Sequence, residues 1–480
     1  MFIGRDIELE RLSELYNKFS SSLVICRGRR RIGKSTLIKK FGRSVPAFLE
    51  FQGLPPHKGI TSQDQLRSFI DQLAAQTMVP KVEVSSWIQA FSLLASQISR
   101  TEKTVLLLDE ISWMASKEKN FAGYLKIAWD TLFKGFPHLI VVLCGSVSSW
   151  IDKNILNNTG FVGRISYELT LEQLPLYYCN LFWKEKKDRI STLEKLKILS
   201  ITGGVPRYLE EINPNRSVEY TIKRICFSQG GFLISEFDQI FSDIFNKRSK
   251  VYKEIIYSLV NGNKSLSEIA YAINRNRNGD LSDYLQDLEK SGFVRKESVY
   301  NLKKCAYGKL HKYRIIDNYF RFYLRYIEPI KQNIIRGLYE KTALDKIIQW
   351  DTIIGIQFET LILNNLALIC RILNIAFETI ESASPYFQRK TQRQTACQVD
   401  LLICTRHTTY VCEIKYRKNI GKYVIREVME KVSKLKIPRS KSLRTVLIFE
   451  GKLSKETIQE KYFDYLISMN DLLNYRDLSI

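Results

Sequence analysis

The spacing of apolar and polar positions divides the chain into blocks of different period. Leu23, Val24, Ile25 and Cys26 form a short continuous apolar run, and Thr104 to Leu108 and Leu139 to Cys144 form two more. Such runs predict strands buried on both faces, as in a parallel sheet covered by helices. Ala47 to Gly53 reads as a further strand of the same set. Gln65 to Gln76 and Trp87 to Ile98 place apolar residues at three- and four-residue steps, which predicts helices with one buried face. Residues 1–170 are therefore expected to form an α/β core around a parallel sheet.

After the first run comes Gly28-Arg29-Arg30-Arg31-Ile32-Gly33-Lys34-Ser35, and Thr36, Leu37 and Ile38 continue with helical character. Strand, glycine loop and helix in that order suit a polyphosphate such as ATP, because glycines at both ends let backbone N–H groups wrap close to the anion. Lys34 would place a charge on the β- and γ-phosphates, Ser35 would offer a hydroxyl to Mg²⁺, and the helix would turn its positive end inward. The second long run ends in Asp109-Glu110. At the carboxyl end of a parallel strand, Asp109 is expected to hold Mg²⁺ through its waters and Glu110 to orient and deprotonate the attacking water. The third ends in Gly145-Ser146, where Ser146 is positioned to sense the γ-phosphate or the water. A solvated turn is the plainer account of each strand end.

Beyond the core, Leu171 to about Asp238 has an aromatic-rich helical pattern, read as a lid over 171–245. Within it Thr202-Gly203-Gly204-Val205-Pro206-Arg207-Tyr208 predicts a stiff corner, with a plain helix-connecting turn as the alternative. Residues 246–300 show three short helical patterns followed by Gly292-Phe293-Val294-Arg295-Lys296, the layout of a winged helix. Its third helix, Asp280 to Glu289, is acidic, so contact with DNA is expected only through the loop Asn274 to Asn278 and through Arg295 and Lys296. Residues 301–349 read as a basic, aromatic-rich helical connector whose rings pack in a core.

The last block, 350–480, carries different chemistry. Gln398 to Cys404 and Thr409 to Lys415 predict two strands around a turn at Thr405 to Thr408. For a symmetric turn, residues whose numbers sum to 813 face each other, which sets Asp400 opposite Glu413 and puts Lys415 on the face of Glu413. Two facing carboxylates repel unless a cation lies between them, and a divalent ion with a nearby lysine would supply it. A hairpin with a solvated Glu-Ile-Lys edge is the alternative.

The formal charge is +23 over 480 residues. It is uneven, with 32 Lys+Arg against 24 Asp+Glu in residues 1–240 and 41 against 26 thereafter. Such a field favours polyanions, with nucleic acid first and an anionic membrane surface second, and charge alone does not choose between them. Nine singly placed cysteines and four histidines predict reduced, mostly buried thiols and no zinc site. Polar residues Gln357, Glu359, Asn364, Asn365 and Arg371 break the most apolar stretch, Thr352 to Phe377. Arg5, Asp6, Glu8 and Glu10 interrupt the start, so no membrane span or signal peptide is expected and the protein is read as cytoplasmic.

Phe2-Ile3-Gly4-Arg5-Asp6-Ile7-Glu8-Leu9-Glu10-Arg11-Leu12, upstream of the glycine loop, resembles the opening stretch of P-loop ATPases of the AAA+/STAND group. Within that group the chain looks most like archaeal-type ATPases with a C-terminal domain of unknown function. The resemblance implies an arginine in Phe161-Val162-Gly163-Arg164 that reaches a γ-phosphate in the same or a neighbouring subunit, against the plainer reading of Arg164 as a surface residue. It also implies a lid corner of the Gly203-Gly204-Val205-Pro206 kind facing the nucleotide, from which Arg207 would couple lid position to the γ-phosphate.

The C-terminal spacing resembles the restriction-endonuclease-like PD-(D/E)xK core, a helical acid followed by Asp and then Glu-x-Lys. That resemblance implies Asp400 and Glu413 as Mg²⁺ ligands, Glu359 in support, and Lys415 orienting water or steadying the phosphate. A basic set including Lys415, Arg417, Lys418, Lys422, Lys431, Lys434 and Lys436 would then hold a phosphate backbone. The expectation is an ATP-hydrolysing, DNA-associated enzyme with a nuclease-like domain. The alternative is a regulatory ATP switch whose last domain only binds nucleic acid or protein.

Overall fold

The computed structural model describes residues 2–146, 149–245, 249–276, 279–392 and 394–476. The chain divides into two compact units, one of residues 1–172 with 290–292, the other of 173–289 and 293–480.

In the first unit, β1 (Ser22–Gly28), β2 (Ala47–Gln52), β3 (Thr104–Asp109), β4 (Leu139–Ser146) and β5 (Ile165–Leu171) form one sheet in the order β2-β3-β4-β1-β5. Every ladder in it is parallel. The continuous apolar runs follow from this arrangement, since β3 is buried at all six positions. Leu23, Ile25, Leu106, Leu108, Val141 and Leu143 face one core layer, and Val24, Cys26, Val105, Leu107, Ile140 and Val142 face the other.

Helix α1 (Asp6–Tyr16) precedes β1, α2 (Lys34–Gly42) joins β1 to β2, and α3 (Ser62–Gln76) and α4 (Trp87–Ala95) lie between β2 and β3. Then come α5 (Ile111–Met114) and α6 (Phe121–Thr131). Thr61 starts α3 with a reciprocal cap to Asp64, so that helix begins three residues before the apolar spacing predicted. Strand β5 was not expected from the pattern. Its residues alternate between exposed and covered, with Glu168 and Thr170 outward, because it is an edge strand without a second covered face.

In the second unit the stretch read as a lid is helical at Thr192–Thr202, Val218–Cys226 and Phe232–Phe245. Helices Ser249–Ser258, Leu266–Ala272 and Gly279–Lys290 precede an antiparallel hairpin of β6 (Val294–Asn301) and β7 (Ala306–Ile315). The expected connector is thus corrected over its first third, where β7 replaces helix. The basic spacing of Lys309 and Lys312 hides a strand whose outer half is exposed and whose last three residues are buried. Past it the aromatic residues do pack as a core: Tyr319 donates its hydroxyl to the Leu233 carbonyl at 2.7 Å, and Tyr323 stacks on Phe237.

The C-terminal sheet comprises β8 (Ile380–Gln388), β9 (Cys397–Thr405), β10 (Thr408–Ile420), β11 (Ser442–Leu453) and β12 (Tyr465–Ser468), in the order β12-β11-β10-β9-β8. The β8, β9 and β10 ladders are antiparallel, whereas β10, β11 and β12 run parallel. Helix Tyr423–Lys434 provides the crossover between the parallel strands β10 and β11. Among the described residues no single helix is long and apolar enough to cross a membrane, and the helices Trp350–Leu363 and Leu366–Ile372 meet at a 73° bend. Eight of the nine cysteines are buried, and Cys305 is exposed.

Candidate functional sites: a glycine loop and a carboxylate cluster

The glycine loop leaves β1 at Gly28 and enters α2 at Lys34. Gly28 is required by crowding, since a Cβ there would stand 2.6 Å from the Leu171 carbonyl oxygen. Gly33 caps α2 with φ 91°, a left-handed conformation that favours glycine, and nothing lies within 4 Å of where its Cβ would be. The loop is therefore tight on its sheet side and open at Gly33. Arg31 also takes positive φ, 69°.

Lys34 is buried, and its ammonium donates to the carbonyls of Gly28 at 3.0 Å and Arg29 at 3.1 Å. The cation is thus held across the mouth of its own loop, where anionic oxygens would replace the carbonyls. Ser35 and Thr36 follow in the first turn of α2, Ser35 half-buried and Thr36 exposed.

The acidic strand end meets the loop on one rim of the sheet. Cys26 pairs with Cys144, and Leu108 with Leu143, so in this parallel sheet Asp109 lies at the level of Cys144 and Cys26, two residues before Gly28. The buried Cys144 thiol reports the same convergence. Its pKa is pushed well above the ordinary range by its hydrogen bond with Cys26, by burial and by the Asp109 charge, with Lys34 acting in the opposite direction.

Asp109 is buried and accepts from the Glu110 amide at 3.0 Å. Glu110 has φ 50° and ψ 48°, and α5 begins directly after it. A left-handed glutamate is an uncommon backbone state, and at a strand end such strain redirects a side chain. Ser146 ends β4 in register with Gly28, but its side chain lies outside the described residues.

Arg5 was named only as part of a motif, and the structure gives it a task. Its guanidinium donates to the Ile32 carbonyl at 3.3 Å and to the Glu172 carbonyl at 2.6 Å, which ties the N-terminal segment to the glycine loop. Arg164 is engaged: it makes a bidentate pair with Asp130 on α6 at 2.7 and 2.9 Å. In the second unit, Arg207 donates to Glu211 at 2.8 Å and lies over the Phe232 ring. The corner beside it is as tight as expected, for a Cβ on Gly204 would meet the Leu174 carbonyl oxygen at 2.2 Å. Of the loop proposed for DNA contact, Arg275 faces Glu254 at 3.9 Å, while Arg277 and Asn278 lie outside the described residues.

The C-terminal hairpin has the register read from the sequence. Thr409 pairs with Cys404, Tyr410 with Ile403, Val411 with Leu402 and Cys412 with Leu401, each summing to 813. Asp400 accepts from the Ile414 amide at 2.9 Å, beside Glu413. Burial and the Glu413 carboxylate push the Asp400 pKa up to about 7, opposed by Lys431. Burial likewise raises Glu359, against the pull of Arg321 and Arg314, with Glu413 adding to the rise and Lys431 opposing it. The four expected residues therefore do converge.

What holds them is a pair of lysines. Lys431 Nζ is 2.5 Å from Glu413 Oε2 and 3.8 Å from Asp400 Oδ1, and Lys415 Nζ is 3.0 Å from Glu413 Oε1. Burial disfavours both ammonium charges, but carboxylates outweigh it and raise both lysine pKa values, Glu427 at 2.6 Å and then Glu413 for Lys415, Asp400 and Glu413 for Lys431. Both Glu413 oxygens are thus committed to lysines, and the point between the two carboxylates is taken by an ammonium. This arrangement does not fit a divalent ion, and among the described residues no group of three or more His, Cys, Asp or Glu side chains is placed to hold one. Four members of the basic set expected to hold a phosphate backbone are paired with acids instead. Lys415 and Lys431 turn inward, Lys422 pairs with Glu460, and Lys434 pairs with Glu430.

Residues 2–212 match an ATPase domain family found predominantly in Archaea. A stretch of 346 residues is 25% identical to an uncharacterized protein of Methanocaldococcus jannaschii, covering 71% of this chain and 72% of that protein. A 41-residue stretch, 8% of this chain, is 51% identical to 70% of an uncharacterized ATP-binding protein of the same organism. Among solved structures, a Walker-type ATPase of Pyrococcus abyssi is similar in fold, with a TM-score of 0.50 and 18% identity over 68% of this chain and 96% of that one.

Proposed function

We propose, from an N-terminal unit that carries an ATPase domain, that the chain binds ATP with Mg²⁺ at the glycine loop, hydrolyses it, and couples hydrolysis to engagement of nucleic acid. The observation that carries this reading is the delivery of Lys34 and the Asp109-Glu110 strand end to one rim of a parallel sheet. Ser35 and Asp109 would hold Mg²⁺, which supplies charge neutralisation between the phosphates.

The chain's own residues account for the rest. Lys34 exchanges the Gly28 and Arg29 carbonyls for phosphate oxygens, so its ammonium becomes a clamp on the transferred group. Glu110 takes the proton of the attacking water, its direction fixed by its left-handed backbone. Arg5 holds the Ile32 carbonyl and keeps the loop in shape through the cycle. Lys34→Ala tests the site: ATP turnover is expected to fall by about 10²–10³-fold, and turnover at the parent rate would refute it.

For the C-terminal sheet the reading carried forward is binding without cleavage, because Lys431 and Lys415 occupy the carboxylate pair. A second reading, phosphodiester hydrolysis, is favoured by one observation, the convergence of Asp400, Glu413 and Lys415 with Glu359 electrostatically coupled to them. A supercoiled plasmid incubated with the protein and Mg²⁺ or Mn²⁺ separates the two. Intact plasmid is expected, and metal-dependent nicking that Asp400→Ala abolishes would establish the second.

A further inference from the structure

The second unit contains a cleft apart from the carboxylate cluster, sharing only Lys436 with the basic set expected from the sequence. It encloses about 500 Å³ between the β6–β7 hairpin and the β8 end of the C-terminal sheet. Its rim carries Lys303, Lys309, Arg389 and Lys436, all exposed. Among the described residues no aspartate or glutamate lines it. The nearby acid Glu381 accepts from Tyr300 and is paired with Lys441, so it does not offset the rim. Lys303, Lys309 and Arg389 make no ion pair among the described residues, unlike Lys415, Lys422, Lys431 and Lys434 of the same unit.

The floor is of another kind. Leu302, Leu310, Tyr386 and Phe387 give it an apolar surface, and Phe387 is backed by the Lys312 ammonium at 4.7 Å. Asn301 and Gln394 add amide groups at its edge. The Asn301 oxygen is taken by the Lys304 amide, which leaves its NH₂ as a donor. Cations at the rim, an apolar floor and amides between them match the three parts of a nucleotide unit: phosphate, base face and base edge. The volume lies in the range that encloses a compound of this size.

We infer that this cleft binds a single-stranded segment of nucleic acid, with phosphates on Lys303, Lys309 and Arg389 and a base against the apolar floor. The inference rests on the reading of the chain as nucleic-acid-associated and gives that contact a place distinct from the acidic helix Gly279–Lys290 and from the lysine-filled carboxylate cluster. Exposed strands or unpaired ends are favoured over duplex, because a base must leave its stack to reach the floor.

The test is fluorescence anisotropy of a labelled single-stranded oligonucleotide with the full chain, over a series of salt concentrations. Three forms are compared: the parent, the combined Lys303→Glu, Lys309→Glu and Arg389→Glu variant, and a control with Lys18→Glu, Lys58→Glu and Lys134→Glu. Parent and control are expected to bind alike. The cleft variant is expected to bind at least about tenfold more weakly and to lose about two units of the slope of log K against log salt, as three lost phosphate contacts require. A circular-dichroism thermal melt that follows the parent's verifies that the second unit, which carries the cleft, folds in the variant.

Binding by the cleft variant equal to the parent, or an equal loss in the control, would overturn the cleft as the site. Absence of binding by the parent would instead overturn the nucleic-acid reading on which it rests. Displacement of the strand by an equal concentration of free mononucleotide would overturn the strand as the ligand.

Discussion

Asp400 is a carboxyl held between a backbone amide, a second carboxylate and a lysine, and its titration has a definite consequence. Its ordinary value of 3.8 is raised to about 7, chiefly by burial. Between these values the folded chain holds a proton that the unfolded chain has released, so stability falls as pH rises through this window and the loss is complete above about 7. Asp400→Asn removes the titration and keeps the shape. The variant is expected to melt higher than the parent at pH 8 and at about the same temperature near pH 4. A parent at least as stable as Asp400→Asn at pH 8 would show that the Lys431 pairing outweighs burial.

At the same scale, Arg164 and Arg207 show what residue identity leaves open. Each is positioned by its motif, yet each is engaged by an acid: Arg207 by Glu211 at a local i,i+4 spacing, Arg164 by Asp130, which no local pattern ties to it. Asp130 lies 34 residues before Arg164 and comes beside it only through the packing of α6. The same holds for Lys431, which spacing groups with surface lysines and the fold turns onto Glu413.

Among the elements, those with a two-sided environment or a fixed turn were legible in the sequence. The buried strands β1, β3 and β4 read directly from their apolar runs, and the 813 register of β9 and β10 followed from a two-residue turn. The strands β5 and β7 were not legible, because an alternating strand or a basic one of this kind carries too few apolar positions to stand out. The tight junction of β1 with β5 gives a prediction of its own. Gly28→Ala would drive a methyl group to 2.6 Å from the Leu171 carbonyl, so the variant is expected to lose about 1–3 kcal/mol of stability in denaturant melts and to weaken ATP binding. Parent stability in this variant would mean that β5 is not held against the loop.

For the whole molecule, the charge of +23 acquires a distribution. Cations that adjoin acids are neutralised locally, as in the Lys431, Lys415 and Arg164 pairs. The surplus therefore acts through side chains that make no ion pair among the described residues, Lys303, Lys309 and Arg389 of the cleft rim among them. Nucleic-acid binding is accordingly expected to weaken by about tenfold or more between 50 and 200 mM salt, read from the same anisotropy titrations; salt-independent binding would contradict an electrostatic origin. ATP turnover, by contrast, depends on the buried Lys34 and should respond much less to salt over that range.

The central claim, that one rim of the N-terminal sheet binds and hydrolyses ATP, is tested most directly by comparing ATP binding and phosphate release in the parent and in Glu110→Gln. The account predicts unchanged ATP affinity with hydrolysis slowed by about 10²–10⁴-fold, so that the variant retains intact ATP. Phosphate release by Glu110→Gln at the parent rate, or a parent that releases none with or without nucleic acid, would contradict it.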